Sequence, residues 1–243
     1  MLRKRIILAF VFLTMLCELS LAQTKSFWYS GQFEQFRKKI DLPNVMYDYE
    51  LESVYPDSSK TKLVGNLFKK GNIVLDENKE YTMLKTEHSY YRADHINKTI
   101  MIVDIDKIKS QSKNKKAFAE NTNFETYLLP DSIIMQYGKV TIKTIRNIIT
   151  IQIDYSQELT MRKSVIEYNT KKELIEQFLV VTDVLYESNP ETGEDKFSQT
   201  TVKGFNFSTI FDENKTNQEQ FFIQKNDKII LKKYQNYKLT ILN

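Results

Sequence analysis

Thiol and imidazole chemistry have little to work with in this chain. One cysteine, Cys17, and two histidines, His88 and His95, occur in 243 residues. Metal centres and thiol enzymes need clusters of such groups, so no metal site, cofactor or catalytic cysteine is expected. Glycine is scarce, at six residues, and no P-loop, dinucleotide fingerprint or G-x-S-x-G elbow occurs. Four prolines and a single tryptophan complete the list of rarities. Collagen-like, low-complexity and disulfide-scaffold compositions are excluded. In their place stand 14 tyrosines and 15 phenylalanines within a 41% hydrophobic composition. That is ample apolar surface for a folded core, and the length suits one domain.

The first residues read as an export signal. Arg3, Lys4 and Arg5 precede an apolar run, Ile6 to Leu16, broken only by Thr14. Its length fits a signal-peptide core and falls short of the ~20 residues of a membrane-spanning helix. Ser20 and Ala22 place small residues at the −3 and −1 positions of a cut before Gln23. The expected organisation is a signal peptide over 1–22 and a single domain over 23–243, delivered to the periplasm with no transmembrane segment left. An uncleaved anchor is the rival. Acylation at Cys17 is a second alternative, although Met15 and Leu16 fit poorly where a lipidation motif carries small residues. Cleavage removes Arg3, Lys4, Arg5, Cys17 and Glu18, leaving 32 basic against 30 acidic residues, a net +2. A cysteine-free exported domain must be held by burial alone. Near-neutrality argues against a nucleic-acid partner.

The remainder is β-rich. Val45, Tyr47, Tyr49, Leu51 and Tyr55 alternate on one face between Pro43 and Pro56, a strong strand signal. Further strands are expected near 62–69, 72–75, 81–86, 90–92 and 99–105, with turns at Lys70-Gly71-Asn72 and Asp76-Glu77-Asn78. Phe27 to Ile40 reads as a weak amphipathic helix. The lysine-rich stretch from Asp106 to Asn123 reads as a loop or helix, and 132–137 as a short apolar piece of open type. Two hairpins follow, 140–145 with 148–155 and 159–168 with 174–187, then strands near 200–210, 220–224 and 228–234 and a tail at 237–242. The fold class is therefore mainly β: a large curled antiparallel sheet, a half-barrel, with a few short helices.

Polar constellations are weak. His88 and His95 are seven apart and lack a third ligand, so both are read as surface or turn residues. Asp104, Asp106, Asp154 and Asp183 have no partner identifiable from spacing. A hydrolase would need a cleft gathering one histidine with these acids.

One stretch carries a family resemblance. The long strand ending at Tyr55-Pro56 is followed by Leu63-Val64-Gly65-Asn66-Leu67-Phe68-Lys69-Lys70-Gly71-Asn72, then 81–86, Tyr91-Arg92-Ala93-Asp94 and Asn97-Lys98-Thr99-Ile100-Met101-Ile102. This order resembles the front half of the LolA-like proteins, the periplasmic lipoprotein carriers and their relatives. Tyr234-Gln235-Asn236-Tyr237-Lys238-Leu239 resembles the closing strand of Bacteroidota-type members. The resemblance implies a half-closed antiparallel barrel with an apolar cavity for acyl chains, and a non-enzymatic protein. Leu51, Leu67, Met83, Tyr91 and Met101 are the residues expected to line that cavity. The expected partner is an apolar ligand or a lipoprotein acyl chain. The alternative is an accessory subunit of an envelope or secretion assembly that uses the same fold to contact envelope proteins.

Overall fold

The computed structural model describes residues 36–38, 40, 42–107, 129, 131–188, 194–225 and 228–242. The expected signal peptide, the start of the 27–40 helix, the lysine-rich stretch beyond Lys107 and the turn at 189–193 lie outside the described residues.

Six strands come first: β1 (Asn44–Val54), β2 (Lys60–Lys70), β3 (Ile73–Asn78), β4 (Tyr81–Lys85), β5 (Ser89–Asp94) and β6 (Thr99–Asp104). Helix α1 (Asp131–Tyr137) is the short apolar piece of open type. Then follow β7 (Gly138–Ile145), β8 (Ile148–Tyr155), β9 (Met161–Asn169), β10 (Leu174–Ser188) and β11 (Asp195–Ser208). Two 3-10 turns lead to β12 (Phe222–Lys225), β13 (Lys228–Leu231) and β14 (Lys238–Leu242).

Twelve strands form one sheet in the order β14-β6-β5-β4-β3-β2-β1-β11-β10-β9-β8-β7. Every neighbouring pair is antiparallel except β14 with β6, which is parallel. The ends, β14 and β7, do not pair with each other, so the barrel stays open. At ~4.8 Å per strand a flat sheet of this width would span over 50 Å. Sheets this wide curl, and the face that carries the larger apolar cluster is termed the inner face.

Period-2 alternation sets the two faces. The register Tyr47–Leu67–Asp76–Met83–Arg92–Met101–Thr240 runs as one lateral row from β1 to β14 and defines the inner face. One row over, Phe178–Gly204–Tyr49–Gly65–Asn78 alternates large and small residues. The glycines are required there. A Cβ on Gly204 would sit 2.1 Å from the Phe178 ring, and one on Gly65 would sit 2.5 Å from the Tyr49 hydroxyl.

The two halves of the sheet are covered on opposite faces. On the inner face Phe36, Ile40 and Ile134 of the short helical segments pack with Val45, Tyr47, Tyr49 and Leu67 of β1 and β2, and with Ile151, Ile153, Ile166 and Phe178 of β8–β10. On the outer face Phe68, Leu75, Leu84, Tyr91, Ile100 and Ile102 of β2–β6 pack under Phe211, Phe221, Phe222 and Tyr234 of the C-terminal segment.

Three expectations change. Asp76-Glu77-Asn78 lies inside β3; the bend falls at Lys79-Glu80, where the Asn78 side-chain oxygen accepts from the Glu80 and Tyr81 amides at 2.9 Å each. The strands near 220–224 and 228–234 do not join the sheet; β12 and β13 form a separate two-stranded ribbon over its outer face. The tail enters the sheet in parallel, not antiparallel, because the chain crosses the outer face before returning to the β6 edge, as a parallel connection requires.

Candidate functional site

Four of the five expected cavity residues share the inner face. Leu67, Met83 and Met101 lie in the single row described above, and Leu51 lies on the same face of β1. Tyr91 does not join them. Its neighbours in sequence alternate, and its register with Leu84 and Ile102 puts it on the outer face, stacked on Phe222 at 5.7 Å between ring centroids.

The inner face divides into two zones. Over β7–β11 and β1 the chain fills it with its own side chains, through Phe36, Ile40 and Ile134. Over β4–β6 the situation differs. Met83 and Val103 are buried yet belong to neither packed cluster, Met101 is half-buried, and Arg92 between the two methionines is exposed.

A polar network marks the boundary between these zones. Asp76, 2% exposed, accepts hydrogen bonds from the Tyr49 hydroxyl at 2.7 Å and the Tyr81 hydroxyl at 2.8 Å. The Asn78 amide donates to the Tyr49 oxygen at 2.9 Å. Tyr49 reaches Asp76 by lying across Gly65, its direct partner on β2. Burial raises the Asp76 carboxyl above the ordinary carboxylate range, although both phenols and Asn78 oppose the shift. Burial, reinforced by the nearby Asp76 charge, pushes the Tyr81 phenol up to about 12. The same two causes, in the same order, raise Tyr49 further still. Both phenols therefore stay protonated and act as donors. The Arg92 guanidinium sits 4.9 Å from the Tyr81 ring centroid, within cation–π range.

The remaining polar candidates do not assemble. His88 pairs with Asp106 at 2.8 Å, but both side chains are largely exposed and no nucleophile accompanies them among the described residues. His95 is a tie point: its ring contacts the Thr82 hydroxyl at 2.9 Å and the Tyr237 hydroxyl at 3.2 Å, fastening the β5–β6 turn to the C-terminal segment. Asp104 accepts from the Lys107 amide, Asp154 from Gln152, and Asp183 pairs with Arg162 at 2.6 Å. Among the described residues no three His, Cys, Asp or Glu side chains group as metal ligands.

No protein-family model and no curated protein matches the chain. Solved structures do resemble it. One is a LolA superfamily protein from Nitrosomonas europaea, 9% identical, with 72% of this chain and 90% of that one covered at a TM-score of 0.30. A domain from Vibrio parahaemolyticus assigned to outer membrane lipoprotein sorting is 7% identical, covering 76% and 94% at 0.32. An uncharacterized conserved protein from Thermus thermophilus is 7% identical, covering 87% and 99% at 0.44.

Sequence reasoning passed over Asp76, taking it for a turn residue, and gave Gly65 and Arg92 no role of their own. No local signal marks Asp76: three apolar residues, Ile73 to Leu75, are followed by three polar ones, Asp76 to Asn78, without alternation.

Proposed function

We propose that this chain is an exported, non-catalytic binding protein that holds an apolar chain, a lipid or a lipoprotein acyl group, on the inner face of its open barrel. The observation that carries this reading is the row Leu67–Asp76–Met83–Arg92–Met101. At its far end Met101 is half-buried and Arg92 exposed, so that part of the inner face can take up a ligand, whereas Leu67, Asp76 and Met83 are already buried. Methionine adapts to ligands of variable shape. The β7–β11 half, filled by Phe36, Ile40 and Ile134, serves as a rigid wall. Export rests on the N-terminal signal pattern; among the described residues no helix is long and apolar enough to cross a membrane.

A second reading, an accessory subunit of an envelope assembly, has its own observation. The far ends of β10 and β11 extend beyond the reach of β9 and β1, and there Val184, Leu185, Tyr186 and Phe197 are each about half exposed. Native mass spectrometry on protein purified from its own envelope separates the two. A non-covalent lipid mass supports the carrier. A lipid-free chain bound in fixed ratio to an envelope protein, and released when Leu185 and Phe197 become serine, refutes it in favour of the subunit.

A further inference from the structure

We infer that the two-stranded ribbon β12–β13 is a membrane-contact face, which docks the protein on an anionic phospholipid surface through lysines set around a pair of isoleucines. The inference goes beyond the carrier reading and does not depend on it.

The chain's positive charge is concentrated on this ribbon and the residues that follow it. Residues 221–238 hold Lys225, Lys228, Lys232, Lys233 and Lys238 against one acid, Asp227, a net +4. The formal charge of the whole chain is also +4, so everything outside this stretch balances. Elsewhere on the sheet lysine meets acid. Lys60 and Lys62 on β2 pair with Glu52 and Glu50 of β1 at 3.3 and 2.7 Å, and Lys196 pairs with Glu187 at 2.8 Å. Among the described residues no ion pair engages Lys225, Lys228, Lys232 or Lys238, and all four are exposed. The acids just upstream, Asp212 and Glu219, belong to the 3-10 turns, where the Asp212 carboxylate accepts from the Asn214 amide at 3.0 Å.

Alternation fixes which side of the ribbon looks outward. Phe222, Ile229 and Leu231 pack on the outer cluster of the sheet. The alternate cross-strand pairs, Ile223 with Ile230 and Lys225 with Lys228, therefore face away from it, and Ile230 is 45% exposed. Like charges directly opposite each other destabilise a ribbon, a cost that a layer of anions relieves. The chemistry favours a lipid surface over a single bound anion. The cations are lysines, point charges without the planar fork with which arginine clasps one carboxylate or phosphate. They are spread from the ribbon to the start of β14, as a field of head groups requires. The isoleucine pair beside them has an apolar layer to enter just below those head groups.

The test is flotation of the protein recovered from its own envelope with vesicles of phosphatidylethanolamine and phosphatidylglycerol, and with vesicles of phosphatidylcholine alone. Wild type is compared with Lys225→Gln/Lys228→Gln, with Ile230→Ser and with a control, Lys139→Gln/Lys143→Gln, on β7 at the opposite edge of the sheet. Every substituted residue is exposed, so the variants are expected to keep the wild-type urea midpoint. Wild type should bind the anionic vesicles about a hundredfold more tightly than the neutral ones, and lose that preference in about 0.5 M salt. The ribbon lysine variant should bind the anionic vesicles about twentyfold more weakly, roughly fivefold per lysine. Ile230→Ser should lose about threefold to fivefold on the same vesicles, and the β7 control should stay within about twofold of wild type. Equal binding to both vesicle types, an equal loss in the β7 control, or no loss in the lysine variant or in Ile230→Ser overturns the docking face. So does displacement from the vesicles by inorganic phosphate at constant ionic strength, which would mean a free-anion site. None of these outcomes touches the carrier reading, which the bound lipid mass decides.

Discussion

Replacing Gly65 with alanine tests the boundary network most directly. An ideal Cβ at this position falls 2.5 Å from the Tyr49 hydroxyl oxygen, 2.6 Å from the adjoining ring carbon and 2.8 Å from the Glu77 carbonyl oxygen. The carbonyl belongs to the β2–β3 ladder and cannot retreat, so the phenol must. Moving it breaks the 2.7 Å bond to Asp76 and the 2.9 Å bond from Asn78. Overpacking costs about 1–3 kcal/mol, and a lost hydrogen bond to a charged group about 1.5–3 kcal/mol. Alanine returns about 0.5–1 kcal/mol relative to glycine in an extended strand. The net expectation is a loss of about 1.5–5.5 kcal/mol in urea denaturation followed by far-ultraviolet circular dichroism. A cycle with Tyr49→Phe identifies the cause. Phenylalanine has already surrendered the Asp76 bond, so Gly65→Ala in that background should cost about 1.5–3 kcal/mol less than alone. Additivity of the two substitutions within about 0.5 kcal/mol, or a loss for Gly65→Ala under about 1 kcal/mol, would refute the account of Tyr49 lying across the glycine to reach the acid.

Asp76 should also leave a mark on the pH dependence of stability. Its folded carboxyl is raised above the unfolded value of 3.8, so the folded state holds its proton longer. Its contribution therefore becomes less favourable as pH rises from the unfolded pKa through the folded one, opposite in sign to that of Asp94 and Glu176, which are lowered by hydrogen bonds. Urea midpoints from acid to neutral pH should fall less for Asp76→Asn than for wild type; parallel profiles would contradict the burial. Tyr91→Phe should be neutral or stabilising by up to about 1 kcal/mol, because the Tyr91 hydroxyl is buried without a hydrogen-bond partner in the outer cluster. A clear loss of thermal stability in that variant would mean the hydroxyl is satisfied.

Local pattern made much of the sheet legible. The alternation of Val45, Tyr47 and Tyr49 lies in β1 with all three buried, and the hairpin at Arg146-Asn147 joins β7 to β8 where the sequence put it. What escaped was non-local. Asp76 resembles a turn residue until Tyr49, 27 positions earlier, is brought across Gly65 to donate to it. Tyr91 cannot be assigned a face from its own strand, because the face depends on register carried through β6, β5 and β4. The C-terminal segment has strand-like composition, but only the apolar outer face of β2–β6, assembled elsewhere in the chain, explains why Phe221 and Phe222 are fully buried beside a two-stranded ribbon rather than inside the sheet.

The split cladding of the sheet has a temporal side. Strands β2 to β6 end at Asp104, while the residues that cover their outer face begin at Phe211, so more than a hundred residues of chain separate an apolar surface from its cover. As the polypeptide is made or threaded from its N-terminus, Phe68, Leu75, Leu84, Ile100 and Ile102 exist for that whole interval as a bare patch. The half built around β7–β11 has no such delay, since its cover, α1 with its Ile134, directly precedes β7. The protein thus carries its own late-arriving shield for its early half. A chain halted before Phe211 would lack the residues that cover that patch on the outer face of β2–β6.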